Sequence, residues 1–308
     1  MATSPATLDS VPSPHPAGHR RAIAAALLVT LLWSSSWVLI RVGLDDDQLP
    51  PVTFAALRYM AAALVLWAVV AARRVPVRTP GWSARELAGL AVLGVVFYTV
   101  TQGAQFVAIA HQPAATSSLV LSLTPLVVAL VGAVLLGERP TRAQLVGGCV
   151  VAAGAAVYFA GSLGATRVGI VAVTIALCAN VAGSVLGRHV NRGTGRPALV
   201  VTAISMSVGA LLLGAVGLAA EDLPRLSARA IVIVVWLAVV NTALAFTLWN
   251  HALRRLTAVE SAGINNLMLI QIAGLAWVFL DEPLGAAGAL GVVLVSVGVY
   301  LTQRRRRG

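Results

Sequence analysis

Long apolar runs separated by short polar segments dominate the chain. A helix needs roughly 20 apolar residues to cross a hydrocarbon layer about 30 Å thick. Backbone polar groups in lipid must be paired within their own segment, and these runs are too long and too continuously apolar for barrel strands. The pattern therefore predicts ten membrane-spanning helices, over residues 22–42, 52–72, 85–109, 114–136, 142–162, 168–188, 198–218, 229–250, 257–280 and 284–302.

Prolines mark several of the predicted helix starts. Pro50-Pro51 precedes the second helix, Pro113 the fourth and Pro197 the seventh, while Pro283 lies at the start of the tenth. A proline in the first helical turn removes an N–H group that would have no partner within the helix, so it costs little there. Thr257-Ala-Val-Glu260 has the spacing of a capping box at the start of the ninth helix.

Composition excludes several classes of protein. Hydrophobic residues make up 58% of the 308 residues and charged residues only 11%, whereas a soluble domain carries about a quarter charged residues. A soluble enzyme, a disordered chain and a secreted disulfide scaffold are therefore excluded. The two cysteines, Cys149 and Cys178, lie inside apolar runs, so they are predicted to be small core residues and not disulfide or metal ligands.

The placement of arginine predicts the orientation in the membrane. The net charge is +11, and all 22 basic residues are arginines. With the N-terminus in the cytoplasm, 17 of the 22 fall in cytoplasmic segments, as the positive-inside rule requires, and both termini are cytoplasmic. Arg304 to Arg307 are predicted to be a stop-transfer anchor that also meets anionic lipid, with a specific lipid site as the alternative. The external segments hold Arg41, Arg167, Arg225 and Arg229.

The two halves of the chain repeat each other at an offset of 144 residues. Gly137-Glu138, Gly147 and Gly154 are matched by Asp281-Glu282, Gly291 and Gly298. Each half holds five spans, an odd number, so the halves must enter the membrane in opposite senses, as they do in many alternating-access transporters. The predicted units are a disordered cytoplasmic tail (1–20), two five-helix repeats (21–163 and 164–303) and a basic cytoplasmic tail (304–308).

A series of short motifs follows this repeat through nearly the whole chain. They are Trp33-Ser-Ser-Ser-Trp37, Ala56-Leu-Arg-Tyr59, Thr124-Pro125, Leu136-Gly-Glu138, Leu248-Trp-Asn-His-Ala-Leu-Arg254 and Leu280-Asp-Glu-Pro283. In order and spacing they resemble the EamA type of the drug/metabolite transporter superfamily. The resemblance implies an all-α membrane protein, with ten transmembrane helices as two inverted five-helix repeats, that moves small organic metabolites. One departure is Leu269, which stands where the repeat of Pro125 would be, so a kink there is not expected.

Polar and aromatic side chains in mid-span are candidates for a cavity lining. Tyr98, Gln102 and Gln105 share one helix face through their i, i+4, i+7 spacing. For any single amide, a hydrogen bond between helices is the alternative. As a set they predict a cavity for an uncharged or zwitterionic solute, walled by Trp and Tyr. The candidates are Trp33, Trp37, Tyr98, Gln102, Asn180, Asn241, Asn265, Asn266 and Gln271.

Two charged residues are candidates for coupling or gating. Arg58 lies about two turns inside its span, where its long side chain is predicted to reach the outer rim, with contact to a substrate carboxylate as the alternative. Glu260 fits the capping box, with proton coupling as the alternative. Glu138 and Glu282 are predicted to be structural or gating groups at helix junctions. Gly183-xxx-Gly187 predicts close helix packing, with a dimer face as the alternative.

The sequence favours a secondary transporter that exports or imports a small metabolite, such as an amino acid or a drug-like compound, across the bacterial cytoplasmic membrane by alternating access. The expected partners are the metabolite, membrane lipid and, as an alternative to a monomer, a second copy. No catalytic residue, metal, cofactor or nucleic acid is expected, and no phosphate-binding loop is present for ATP. The alternatives are a flippase for a lipid-linked sugar and a membrane enzyme using Asp45-Asp46-Asp47.

Overall fold

The described part of the chain forms ten helices, α1 to α10 in chain order. The computed structural model describes residues 16–77, 81–124, 126–128, 131, 142–160, 164–194, 196–245, 248–249, 252, 256 and 258–303, and in this part of the chain there is no strand. Each predicted span has its helix, and α1 begins inside the stretch predicted to be a tail. The bounds are Pro16–Asp45, Pro51–Ala72, Ala84–His111, Ala114–Leu121, Arg142–Ala160, Arg167–Thr194, Ala198–Ala220, Ala228–Leu244, Ala258–Phe279 and Ala286–Gln303.

The outside of the bundle is apolar, as lipid requires. Five helices (α1, α2, α3, α6 and α7) are long and apolar enough to cross a membrane, and shorter apolar stretches are described in the other helices. Large apolar side chains such as Leu64, Leu211 and Leu218 are at least 65% exposed. Cys149 and Cys178 are exposed as well. Their predicted place in the core was wrong, because an apolar run in lipid gives no signal for which of its faces points inward.

The two halves pack together through equivalent helices. In the described residues α5 packs on α10 and α2 packs on α7, and the members of each pair hold the same position in the two repeats. A Cβ atom on Gly291 would lie 2.6 Å from Tyr158 Cβ and 2.8 Å from the Gly154 carbonyl oxygen. A Cβ atom on Gly298 would likewise lie 2.8 Å from the Gly147 carbonyl oxygen. These repeat-related glycines therefore let α5 and α10 approach each other closely.

The glycine pair predicted for close packing, Gly183 and Gly187, makes its contacts within one chain. A Cβ atom on Gly183 of α6 would lie 2.5 Å from the Phe97 ring of α3, and one on Gly187 would lie 3.6 Å from Leu93. Both glycines therefore face α3. A dimer through this pair would require these two helices to separate, so the glycine pattern gives no support to a second copy.

Among the described residues, each half contains one π-helical segment, and the two lie at equivalent positions. Gly94–Val100 interrupts α3, and Val239–Leu244 ends the described part of α8. Adding the repeat offset of 144 to the first segment gives 238–244, so the two segments coincide to one residue. In each region a threonine hydroxyl donates to the carbonyl five residues earlier, from Thr101 to Val96 (2.9 Å) and from Thr242 to Leu237 (3.0 Å). Single π turns inside α-helices occur frequently at functional sites.

The repeat is broken at the fourth and ninth helices. Two residues in turn conformation, Ser122 and Leu123, interrupt the fourth helix, whereas α9 continues without a break past Leu269. Proline disfavours helical backbone in the residue before it and clashes with the carbonyl four residues earlier. The Thr124 hydroxyl donates to the Leu121 carbonyl oxygen at 2.7 Å and so pairs a group at this break. The unbroken α9 agrees with the expectation that a helix with Leu269 in place of proline is not interrupted there.

Carboxylates close one end of the bundle, which we call the capped end. Glu282, directly after α9, accepts hydrogen bonds from the backbone N–H groups of Ala114 (2.7 Å) and Ala115 (3.2 Å) at the start of α4. Glu221, directly after α7, accepts from Val52 (2.9 Å) and Thr53 (2.7 Å) at the start of α2. Helix N-termini favour negative charge and leave N–H groups without intrahelical partners. This geometry supports the structural interpretation of Glu282.

Candidate functional site

A cavity of about 440 Å³ lies in the middle of the bundle, between the two halves. This volume is in the range of sites for small molecules, ~300–1,000 Å³. Both repeats contribute to its wall, through helices α1–α4 of the first half and α6–α10 of the second. The lining residues are Trp33, Ser36, Trp37, Arg58, Tyr59, Phe97, Tyr98, Gln102, Gln105, Ser118, Leu121, Ser122, Thr124, Asn180, Met206, Asn241, Thr242, Asn265, Met268, Leu269, Ile272 and Val299.

The structure brings most of the predicted lining together. Trp33, Trp37, Tyr98, Gln102, Asn180, Asn241 and Asn265 all line this cavity, together with Gln105 and Arg58. Gln271 instead accepts a hydrogen bond from the Ser34 hydroxyl of α1 at 3.0 Å, which is the interhelical alternative. The side chains of Asn266 and Glu260, and all of Glu138, lie outside the described residues. The part that each lining residue plays in binding stays a prediction.

Aromatic rings form one wall of the cavity. The Tyr59 and Tyr98 rings lie 5.8 Å apart, and the Phe97 ring meets Tyr98 edge-on at 5.3 Å. The centres of the Trp33 and Trp249 rings lie 5.3 Å apart, and the Trp33 indole N–H donates to the backbone carbonyl oxygen of Asn241 at 3.1 Å. Rings that are fixed by neighbours present a preformed apolar surface, which lowers the entropy lost when a ligand binds.

The amides of the lining are held by bonds between helices. Asn180 of α6 donates to the Thr124 hydroxyl at 3.2 Å, next to the break in the fourth helix. The Asn241 amide nitrogen donates to the Leu32 carbonyl of α1, with the Ser35 hydroxyl at 3.5 Å. The carbonyl oxygen of the same Asn241 side chain is buried and finds no hydrogen-bond partner among the described residues. A residue of the cavity lining therefore carries a buried acceptor that nothing in the described chain uses.

Arg58 is the one charged side chain in the described lining. It is 7% exposed, and its guanidinium carbon lies 5.3 Å from the Tyr59 ring centre and 6.0 Å from that of Phe106. The side chain thus stays among aromatic rings, which attract cations, and the predicted reach to the outer rim was wrong. Arg58 Nε is buried without a hydrogen-bond partner in the described chain. A buried donor on a cation that lacks a partner is costly, so a ligand with the opposite charge would be favoured here.

Several lining residues were missed by reasoning from the sequence. Tyr59 directly follows Arg58 in the same motif, and Thr242 is the repeat equivalent of Tyr98, so both had a usable signal. Asn241 is likewise the repeat equivalent of Phe97. The cavity lining thus includes two residues of each π segment, Phe97 and Tyr98 in the first and Asn241 and Thr242 in the second. The π turns themselves have no recognisable pattern in the sequence.

The acidic cluster Asp45-Asp46-Asp47, which a membrane enzyme would use, forms ion pairs with arginines. Asp45 pairs with Arg41 (Nε to Oδ2, 2.6 Å), and Arg229 pairs with both Asp46 (3.2 Å) and Asp47 (3.0 Å) at the capped end. In the described chain no group of three or more His, Cys, Asp or Glu residues is placed to hold a metal ion. The cluster ties the ends of α1 and α8 together and lies away from the cavity.

Comparison with known proteins agrees with this architecture. The model of the EamA-like transporter family matches the chain twice, over residues 20–160 and 167–304. The chain belongs to the EamA-like transporter family. Each match covers one five-helix half, so the repeat read from the glycines is the repeat of the family. The protein is therefore a multi-pass membrane protein of a transporter family.

Relatives of the chain in this family are described as exporters. A probable terminal-alkyne amino-acid exporter of Streptantibioticus cattleyicolor is 31% identical over 94% of this chain and 95% of its own. A probable amino-acid metabolite efflux pump of Escherichia coli K12 is 27% identical over 90% of this chain and 92% of its own. A solved crystal structure covers 91% of this chain and 97% of its own, with a TM-score of 0.65 and 22% identity, which supports the fold alone.

Proposed function

We propose that this protein exports amino acids or amino-acid-derived metabolites across the bacterial cytoplasmic membrane by alternating access. The observation that carries the proposal is the central cavity, because residues of both repeats line it and both π segments border it. A site shared by two inverted halves is the arrangement in which rocking of the halves exposes a solute first to one side and then to the other. The names of the relatives support amino-acid chemistry.

The orientation proposed from the arginines gives the helix caps a role. With both termini in the cytoplasm, the capped end with Glu221 and Glu282 faces outward. Each carboxylate links the end of one helix to the start of another, so opening this end requires hydrogen bonds to charged groups to break. We infer that the caps hold the external side closed while the solute enters from the cytoplasm. The gradient of the solute, or of protons, supplies the driving force.

Transport by purified protein in liposomes tests the proposal. Liposomes are loaded with one unlabelled L-amino acid at a time, and entry of the same labelled compound is followed. We expect several of the twenty amino acids to exchange severalfold faster than in protein-free liposomes. Asn180→Leu, which removes a cavity amide from α6, should reduce exchange, whereas Thr174→Val, on the exposed face of the same helix, should leave it unchanged.

Two results would contradict the proposal. One is the absence of exchange for every amino acid with protein that is folded and correctly inserted. The other is exchange that both substitutions leave unchanged, since solute would then pass by another route. A sugar-lipid flippase would instead move a lipid-linked sugar in the same liposomes and no amino acid.

A further inference from the structure

Two buried polar atoms without a partner belong to residues that line the same cavity, and their chemistry is complementary. In the described chain three buried side-chain atoms lack a hydrogen-bond partner: Arg58 Nε, Asn241 Oδ1 and Gln112 Oε1. The first two residues line the cavity, while Gln112 lies after α3 at the capped end. One is a donor on a cation and the other is a neutral acceptor. Arg58 is 7% and Asn241 1% exposed, so neither atom is compensated by bulk water.

We infer that Arg58 binds the carboxylate of the substrate and that Asn241 Oδ1 accepts a hydrogen bond from its ammonium group. This inference rests on the proposed function and names the substrate class, which is compounds with a free amino-acid backbone. The guanidinium fork matches the two oxygens of a carboxylate. An ammonium group needs acceptors, which the Asn241 oxygen and the faces of the cavity aromatics supply.

The charge of the cavity selects against other anions. Apart from Arg58, the described lining is neutral, with amides, hydroxyls, aromatic rings and aliphatic side chains. A phosphate group carries close to two negative charges near neutral pH, and one buried arginine leaves such a charge partly uncompensated. A zwitterion brings one negative and one positive group, and the second has the Asn241 oxygen to meet. Net-neutral amino acids therefore fit the cavity better than phosphate esters.

The two residues come from different halves of the bundle. Arg58 lies on α2 in the first repeat, and Asn241 lies in the π segment of α8 in the second. The Asn241 amide nitrogen is bonded to α1, so its oxygen has a fixed direction. A ligand held by both residues would bridge the two halves, and its release would follow when they move relative to each other. Recognition of the backbone, and not of one side chain, is expected from this pair.

Competition in the liposome assay tests the inference. For an amino acid that is transported, four competitors are compared: the unlabelled amino acid, its methyl ester, its decarboxylated amine and its deaminated carboxylic acid. We expect the ester and the amine to inhibit roughly 10- to 100-fold more weakly than the amino acid, because each lacks the carboxylate for Arg58. The deaminated acid should inhibit severalfold more weakly, because it has nothing to donate to Asn241.

Variants separate a role in binding from a structural role. Arg58→Gln should remove the difference between amino acid and ester, and Arg58→Lys, which keeps the charge, should retain part of it. Arg225→Gln is the matched control, since this arginine is exposed in the segment between α7 and α8, outside the cavity lining, and it should keep the wild-type difference between amino acid and ester. If Arg58→Gln does not fold, the strength of inhibition by the amino acid relative to its ester, measured with the wild-type protein, still tests whether the carboxylate is recognised.

The outcomes distinguish this inference from the proposed function. Transport of amino acids with equal inhibition by acid and ester would overturn the role of Arg58 and leave the exporter intact. Equal inhibition by the amino acid and its deaminated form would overturn the role of Asn241. Complete absence of amino-acid transport and of thermal stabilisation by any amino acid would overturn the proposed function, and the inference with it.

Discussion

The contact between α5 and α10 gives the sharpest test of the packing. Gly291→Ala adds a Cβ atom 2.6 Å from Tyr158 Cβ and 2.8 Å from the Gly154 carbonyl oxygen. Carbon atoms are normally ~3.5–4.0 Å apart in contact, so the helices must move apart by about 1 Å. Overpacking of this kind costs about 1–3 kcal/mol, whereas alanine in place of glycine favours a helix by up to about 1 kcal/mol. We expect a net loss of about 1–2 kcal/mol.

The matched control is Gly274→Ala, five residues before the end of α9. A Cβ atom there meets no atom within 4 Å, so only the gain in helix propensity remains, and the stability should be unchanged or higher. Thermal unfolding in detergent, followed by tryptophan fluorescence, compares the two variants. Because Gly154 and Gly291 touch each other, the double variant Gly154→Ala/Gly291→Ala should lose less stability than the sum of the single variants. Equal melting midpoints for Gly291→Ala and Gly274→Ala would refute the close contact.

Other predictions concern the caps and the π segments. Glu282→Ala should lower the free energy of unfolding by about 1–2 kcal/mol, because two N–H groups at the start of α4 lose a charged acceptor. The melting midpoint of this variant, compared with that of Asp222→Ala beside the other cap, checks this prediction. An unchanged midpoint for Glu282→Ala would contradict the cap. Thr242→Val should cost about 1 kcal/mol through the lost bond to Leu237 and should slow transport, since this residue lines the cavity. Transport at the wild-type rate in this variant would contradict a role for the π segment.

The number and position of the helices could be predicted because lipid imposes a simple rule. Every span must be apolar over most of its length and must pair its own backbone, so the ten runs mark the ten helices. The continuous ninth helix follows from Leu269 in place of a proline, whereas the break at Ser122 and Leu123 in the fourth helix was not predicted. The rule does not say which side of each helix faces the lipid and which faces the other helices. Cys149 and Cys178 were placed in the core because apolar residues face lipid and protein alike.

The cavity was predictable as a set of residues and not as a geometry. Polar side chains in mid-span are costly in lipid, so they turn inward, and this brought Gln102, Asn180 and Asn241 together. Which of them stay unpaired depends on neighbours that are distant in sequence. Gln271, for example, accepts a hydrogen bond from the Ser34 hydroxyl of α1. Arg58 is held among aromatic rings by Phe106 from another helix, a contact that its own helix pattern does not contain.

Reactivity of a cysteine in the cavity tests most directly whether solute passes between the two halves. Gln102→Cys, in a background with Cys149→Ser and Cys178→Ser, places a single thiol on the cavity wall. Modification by a water-soluble thiol reagent should stop amino-acid exchange in proportion to the labelled fraction, and a transported amino acid should slow the labelling. Labelled protein that exchanges amino acids at the unlabelled rate, with labelling that no amino acid slows, would contradict a pathway through this cavity.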